Sequence, residues 1–151
     1  MRRFRMHLVY LLGIALVLLC SSCQGGKRFY PVRGQVFADG KPAQGVTIIF
    51  HPEDDSDPQP LQPSAIVQAD GSFVLHSYVV EKRTLKEGAP AGRYRVTCTW
   101  YPPDLQNYLG NENLPDKLQG RYANSRTSGL KAEIAEQSTE VPPFRLEIPK
   151  H

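Results

Sequence analysis

Alternation between apolar and polar side chains along residues 93–101 is the feature that most constrains the fold of this chain. Tyr94, Val96, Cys98 and Trp100 occupy every second position, and successive side chains of a β-strand point to opposite faces of a sheet. This period predicts a strand that buries one face and exposes the other. Cys98 falls on the buried face, so we expect its thiol to lie in the core.

Six further segments have a β-rich composition or a similar alternation, with turn signals between them. Asp39-Gly40 and Asp70-Gly71 are typical of tight turns, so each predicts a hairpin between the two segments that flank it. Together with residues 93–101, these segments predict an all-β fold, a seven-stranded immunoglobulin-like sandwich. The six segments are Val32–Phe37, Gly45–His51, Ser64–Ala69, Ser72–Ser77, Leu130–Glu136 and Phe144–Ile148.

The N-terminal residues have the composition of an export signal. Three arginines precede an apolar run from Leu8 to Leu19, which is too short to span a membrane comfortably. Two serines and Cys23 follow this run. Residues 1–22 are therefore predicted to be a signal peptide, which indicates where the protein is located and not what it does.

Cys23 is the predicted site of lipid attachment. Cys20-Ser21-Ser22-Cys23 resembles the box of bacterial lipoproteins, in which two small residues precede a cysteine that is acylated before cleavage. Acylation of Cys20 instead would place leucines in the small-residue positions, which fits less well. The alternatives are an ordinary secretory signal and an uncleaved anchor helix. Acyl chains on Cys23 would attach the protein to a membrane.

The predicted mature chain consists of a short tether and one domain. Residues 23–30 include two adjacent glycines that make the tether flexible, and residues 31–151 are enough for one hydrophobic core. The whole chain has a formal net charge of +3, and the three arginines of the signal account for this excess. A formally neutral domain gives no support for nucleic-acid binding, which needs a clustered basic surface.

Aromatic residues in or beside the long irregular segment from Pro102 to Thr127 are the candidate ligand-binding residues. They are Tyr101, Tyr108 and Tyr122, with asparagines interleaved. Connections of this length are often functional. Flat aromatic faces stack on sugar rings while amides bind hydroxyl groups, so this composition indicates a carbohydrate-binding surface. The same tyrosines could instead cover an end of the sandwich, as tyrosines commonly do.

Several turn and strand motifs follow one another along the chain: Gly34–Ala43, Ala69–Phe73, Gly88–Val96, Leu114–Lys117, Arg121-Tyr122 and Thr127–Leu130. In this order the motifs resemble small exported lipoproteins, abundant in planctomycete-type bacteria, with a transthyretin-like or carboxypeptidase-regulatory-like domain. The resemblance covers nearly all of residues 31–151. It implies a seven-stranded sandwich of prealbumin type that stabilises, attaches or binds and does not catalyse.

Enzymes with related sandwiches have residue patterns that this chain does not share. Transthyretin-like hydroxyisourate hydrolases end in Tyr-Arg-Gly-Ser, whereas this chain ends in Ile148-Pro-Lys-His151. Intradiol dioxygenases bind iron through two tyrosines and two histidines, in a spacing that His51 and His76 do not reproduce. No ligand pair has the spacing of a zinc motif or a calcium loop. We therefore expect no catalytic residue, no metal and no cofactor.

These observations predict a non-enzymatic, membrane-anchored envelope lipoprotein whose β-sandwich is a structural or protein-interaction module. Its expected partners are the membrane, through acyl chains on Cys23, and an envelope protein. Gln24 is not the aspartate that often retains lipoproteins in the inner membrane, which favours the periplasmic or surface face of an outer membrane. The alternative is a cell-surface carbohydrate-binding module with a glycan partner.

Overall fold

The structure is a computed structural model that describes residues 27–54, 56–57, 59–101 and 115–150. These residues form eleven β-strands in two sheets, one short 3₁₀ turn and no α-helix, so the described part of the chain is all-β. No helix in these ranges is long and apolar enough to cross a membrane. The predicted signal peptide, Cys23 and Tyr108 lie outside the described residues.

The first sheet is built around β1 (Val32–Ala38), in which inward residues are buried and most of the others are exposed. Four short strands pair with it: β2 (Lys41–Pro42) and β5 (Ser72–Val74) antiparallel, β10 (Thr139–Glu140) and β11 (Phe144–Leu146) parallel. Each of these four has only two or three residues. The first sheet therefore depends on β1 for its backbone pairing.

The second sheet contains β3 (Thr47–Pro52), β4 (Ser64–Ile66), β6 (His76–Val79), β7 (Thr84–Glu87), β8 (Gly92–Thr99) and β9 (Leu130–Ile134). Their order across the sheet is β7-β6-β4-β3-β8-β9, and neighbouring strands are antiparallel. The 3₁₀ turn at Val80–Lys82 connects β6 to β7. On β8 the predicted inward residues Tyr94, Val96 and Cys98 are buried, and Thr97, which the alternation places on the exposed face, is buried as well.

One hydrophobic core lies between the two sheets, with Phe50 on β3 in contact with both. The centroid of its ring lies 5.8 Å from that of Tyr94 in the same sheet. Across the core, the ring centroids of Phe73 and Phe144 lie 6.3 Å and 6.2 Å from that of Phe50. Tilted and edge-to-face pairs at these distances are favourable beyond the burial of their area. Phe50 therefore joins the two sheets.

Each of the seven predicted segments contains a strand, and the structure adds four short strands. β2, β7 and β10 fall outside the predicted segments, and Ser72–Ser77 divides into β5 and the start of β6. The three additional strands have two, four and two residues. Segments this short do not show a period that sequence inspection can detect.

The predicted hairpin between Val32–Phe37 and Gly45–His51 is wrong, because these strands lie in different sheets. The turn at Asp39-Gly40 forms with both residues at positive φ, but the strand that follows it and pairs with β1 is the two-residue β2. The chain then changes sheets, and the N–H of Val46 lies 3.2 Å from the carbonyl oxygen of Ala43 at this crossing. A strand with one buried face shows the same alternation in either sheet, so periodicity cannot decide its partner.

The second predicted hairpin, between Ser64–Ala69 and Ser72–Ser77, is confirmed in part. The N–H of Gln68 donates to the carbonyl oxygen of Ser72 at 2.8 Å next to the turn, and Ser64 on β4 lies opposite His76 on β6. Asp70 forms the predicted turn, and its Oδ1 accepts hydrogen bonds from the N–H and hydroxyl of Ser72 at 2.9 and 2.6 Å. After the turn, β5 pairs with β1, so that Phe73 lies opposite Gly34. A Cβ on Gly34 would lie 2.6 Å from the Phe73 ring. The absence of a side chain on Gly34 therefore makes room for this ring.

Gly88 packs directly against the backbone of Tyr30, and we expect a side chain at this position to destabilise the fold. Its φ is +90°, and a Cβ would lie 2.0 Å from the carbonyl oxygen of Tyr30. Gly88→Ala should lower the free energy of unfolding by about 3 kcal/mol, because left-handed strain and overpacking add. Urea unfolding followed by the fluorescence of Trp100, the only tryptophan, measures this loss.

Gly40→Ala is the matched control for this substitution. Gly40 has a φ of +80°, but no atom lies within 4 Å of a Cβ built there. Gly40→Ala should lower the free energy of unfolding by about 1 kcal/mol, because only backbone strain contributes. Equal losses for Gly40→Ala and Gly88→Ala would contradict the close approach of Tyr30 to Gly88.

Candidate functional site

The tyrosines predicted to bind a ligand have different environments. Tyr101 is half-buried just after β8, and Tyr108 lies outside the described ranges. Tyr122 belongs to the core, with 7% of its surface exposed. Its hydroxyl oxygen accepts a hydrogen bond from the backbone N–H of Glu147 at 3.1 Å. The Tyr122 ring is therefore used in packing, and its hydroxyl helps to hold the C-terminal segment.

Trp100 is half-buried, and a cation lies over its ring. The Nζ of Lys117 is 4.6 Å from the ring centroid, a cation–π contact. Asp116 holds this turn, because its carboxylate accepts hydrogen bonds from the N–H groups of Trp100, Leu118 and Gly120 at 2.8–3.0 Å. Lys117 thus covers a tryptophan surface on which a sugar ring could otherwise stack.

The side chains of Tyr94 and Cys98 project from β8 into the core. Burial, with a contribution from Asp116, raises the pKa of the Cys98 thiol to about 12. Burial also raises the pKa of the Tyr94 phenol to about 12, and its hydroxyl donates to the carbonyl oxygen of Pro90 at 2.8 Å. The predicted burial of Cys98 is confirmed. A thiol that remains protonated at neutral pH is a poor nucleophile.

Two buried serines hold the backbone at the edges of the second sheet. Ser77 on β6 donates to the carbonyl oxygen of Gly88 at 2.7 Å. Ser128, just before β9, donates to the carbonyl oxygen of Val96 at 2.6 Å. Both hydroxyls therefore have a structural partner within the fold.

A charged groove of about 740 Å³ lies between the loop that follows β3 and the last two strands of the sheet, β8 and the edge strand β9. Its charged residues are Glu53, Asp54, Arg93, Arg95 and Lys131. Glu53 lies between two cations, with its Oε2 3.7 Å from the Nε of Arg93 and its Oε1 3.5 Å from the Nζ of Lys131. The groove therefore combines opposite charges, with three basic side chains and two acidic ones.

The two cations that contact Glu53 remain accessible to a partner. The side chains of Arg93 and Lys131 are 75% and 74% exposed, whereas that of Glu53 is 23% exposed. Ion pairs of this exposed kind contribute about 0–1 kcal/mol. These pairs are therefore weak, and most of the surface of both cations faces solvent.

His51 extends the polar surface next to this groove. It lies opposite Arg95 in the register of β3 and β8, and its Nε2 is 2.9 Å from the Oγ1 of Thr97. Burial, and secondly the charge of Arg95, lower the pKa of His51 below its ordinary value of 6.5. His76 lies on β6, and β4 separates it from β3. Within the described ranges, no group of three or more His, Cys, Asp or Glu residues is placed to hold a metal ion.

The charged groove is a surface that sequence inspection missed. The alternation on β8 does place Arg93 and Arg95 on the outward face. Their neighbours come from a loop and from β9, and only strand pairing shows that Lys131 lies opposite Arg95. No protein-family model, curated protein or solved structure matches this chain. The function must therefore be inferred from these surfaces themselves.

The lowered pKa of His51 predicts a pH-dependent stability. Between pH 6.5 and the lower pKa of the folded state, the unfolded chain binds more protons at this residue. The free energy of unfolding should therefore be fully retained above pH 6.5 and decrease as the pH falls through this interval. Urea unfolding at a series of mildly acidic pH values measures the effect.

His51→Gln should reduce this pH dependence, because the titrating group is removed. His76→Gln is the control, since His76 lies two strands away and its Nδ1 donates to the carbonyl oxygen of Val74 at 3.1 Å. A pH dependence that is the same in His51→Gln as in the unchanged protein would contradict this assignment.

Proposed function

We propose that this protein is a non-enzymatic lipoprotein of the cell envelope, anchored by acyl chains on Cys23. Its domain is a transthyretin-like or carboxypeptidase-regulatory-like sandwich of prealbumin type that serves as a structural or protein-interaction module. The expected location is the periplasmic or surface face of an outer membrane. The charged groove is the observation that favours interaction with a protein partner.

The chemistry of the groove suits a protein surface. Arg93 and Lys131 present largely exposed cations on neighbouring strands, with Glu53 between them. Arg can bind a carboxylate through two parallel hydrogen bonds, which gives directional recognition. Mixed charges favour one orientation of a partner and disfavour others, so they contribute to specificity and association rate.

Several groups that could act in catalysis instead have structural roles. The hydroxyls of Ser77, Tyr94 and Ser128 donate to backbone carbonyl oxygens of the fold. Asp116 accepts backbone N–H groups at the end of β8. Their engagement in the framework supports a scaffold role for the domain.

The lipid anchor can be tested by Cys23→Ala in a bacterium that exports the chain. Without the thiol, the protein should appear in the soluble envelope fraction or accumulate as an uncleaved precursor, because stable anchoring needs more than one membrane-binding element. Cell fractionation and mass spectrometry of the N-terminus measure both outcomes. Cys20→Ala is the control and should remain membrane-bound. Unchanged membrane retention of a cleaved Cys23→Ala protein would contradict the anchor.

The interaction role can be tested by affinity capture with the full chain, solubilised from membranes and immobilised at its C-terminus. A saturable envelope protein should be retained by the unchanged chain and lost on Arg93→Glu with Lys131→Glu. This double variant reverses the cations of the groove. Arg145→Glu on β11 is the control, because this exposed charge lies in the other sheet. Bound proteins and glycans are identified together by mass spectrometry.

The outcomes of this capture distinguish the candidate functions. A protein that is lost only from the groove variant would support the interaction module. A protein that is retained equally by all three chains would contradict the role of the groove. A defined polysaccharide as the main bound component would instead favour the carbohydrate-binding alternative.

A further inference from the structure

Exposed apolar side chains are concentrated in one hairpin of the second sheet. Of the four large hydrophobic residues that are exposed in the described ranges, three belong to the hairpin of β6 and β7: Tyr78, Val80 and Leu85. Val80 and Leu85 are 63% and 65% exposed, and Tyr78 lies opposite Leu85 in the register of the two strands. We call residues 76–87 the apolar hairpin. Its β7 strand forms one edge of the second sheet.

Basic side chains surround these apolar residues. Lys82 and Arg83 lie at the tip of the apolar hairpin and Lys86 on β7, and all three are exposed. Lys27 and Arg28 lie at the start of the described chain. Two acidic residues, Asp57 and Glu81, lie nearby, and Asp57 pairs with Lys27. Glu87, also on β7, pairs with Arg33. Five basic side chains against Asp57 and Glu81 leave this surface basic.

The N-terminal segment runs along the apolar hairpin toward its tip. Tyr30 exchanges backbone hydrogen bonds with Ala89, just beyond β7. One residue earlier, the ring of Phe29 lies 5.4 Å from the Nζ of Lys86. Lys27 then lines a groove of about 500 Å³ with Val79 and Lys82, next to the tip. Lys27, the first described residue, therefore lies on the side of the hairpin tip.

We propose that the tip of the apolar hairpin, with Lys27 and Arg28, rests on the surface of an anionic phospholipid bilayer. This inference depends on the proposed anchor at Cys23, which is four positions before Lys27. An extended chain of that length spans at most about 14 Å. An anchored Cys23 would therefore keep the hairpin tip close to the lipid headgroups.

The side chains of the hairpin have the chemistry that such a surface requires. Lysine and arginine near an anionic leaflet are attracted by its negative surface potential. Val80 and Leu85 can insert between the headgroups, and Tyr78 presents an apolar ring with a polar end, as tyrosines do at membrane interfaces. The anchor alone would leave the orientation of the domain free, whereas this contact would hold the domain in one orientation.

The contact can be measured by placing a fluorophore on the hairpin of the full, anchored chain. Leu85→Cys supplies the attachment site, and Ile66→Cys on β4, the remaining exposed apolar position, is the matched control. Cys98 does not compete for the label, because it is buried. The chain is reconstituted into vesicles of phosphatidylcholine, alone or with phosphatidylglycerol, that also contain nitroxide-labelled lipid as a quencher.

We expect strong quenching at position 85 in vesicles with phosphatidylglycerol, weak quenching at position 66, and a loss of quenching at high salt. Lys82→Gln with Arg83→Gln should weaken the contact, because each removed cation lowers the equilibrium for surface contact roughly fivefold. An unchanged urea midpoint for this variant would show that its fold is intact. Quenching at position 85 that does not depend on phosphatidylglycerol or salt would overturn the proposal.

Co-sedimentation of the same samples separates this proposal from the anchor. A chain that sediments with both kinds of vesicle but is not quenched at position 85 has its anchor, and it overturns the hairpin contact alone. A chain that sediments only with vesicles that contain phosphatidylglycerol supports the hairpin contact and contradicts the anchor. A chain that sediments with neither overturns both.

Discussion

The packing of Phe50 between the two sheets is the contact on which the rest of the structure depends. Strands of two or three residues, such as those that flank β1, have too few hydrogen bonds to be stable alone. The rings of Phe73 and Phe144 come from two of these short strands and pack on Phe50 from the opposite sheet. Burial of each such ring contributes about 1.5–3 kcal/mol, so side-chain packing compensates for the weak backbone pairing.

This arrangement also determines where function can be located. The inward faces of both sheets are occupied by the core, and the hydroxyls of Ser77, Tyr94 and Ser128 are used to hold the backbone. The two surfaces to which we assign binding lie toward opposite edges of the second sheet. The charged groove is lined by β8 and by the edge strand β9, and the apolar hairpin includes β7 at the other edge. This separation would let the domain contact a membrane with one surface and a protein with the other, as we propose.

Local patterns predicted the strands better than their partners. The alternation of residues 93–101 gave the correct inward face, and Cys98 is buried as expected. The hairpin predicted at Asp39-Gly40 is wrong and the one at Asp70-Gly71 is only partly right, because such a turn reverses the chain without specifying every strand that it then joins. Of the aromatic residues proposed to bind sugar, Tyr122 packs in the core, and Lys117 lies over neighbouring Trp100. The residues that lie beside an aromatic ring depend on distant parts of the chain, which composition does not reveal.

The sequence by itself determined the all-β class, the position of most strands and the residues that face the core, since these follow from a period of two along the chain. Only the tertiary structure decided that β1 and β3 lie in opposite sheets, that Lys131 lies opposite Arg95, and that the apolar hairpin lies beside Lys27. The physical reason is that strand pairing uses backbone groups common to all residues except proline. The choice among possible partners is made by long-range packing, such as that of Phe50, and not by local sequence.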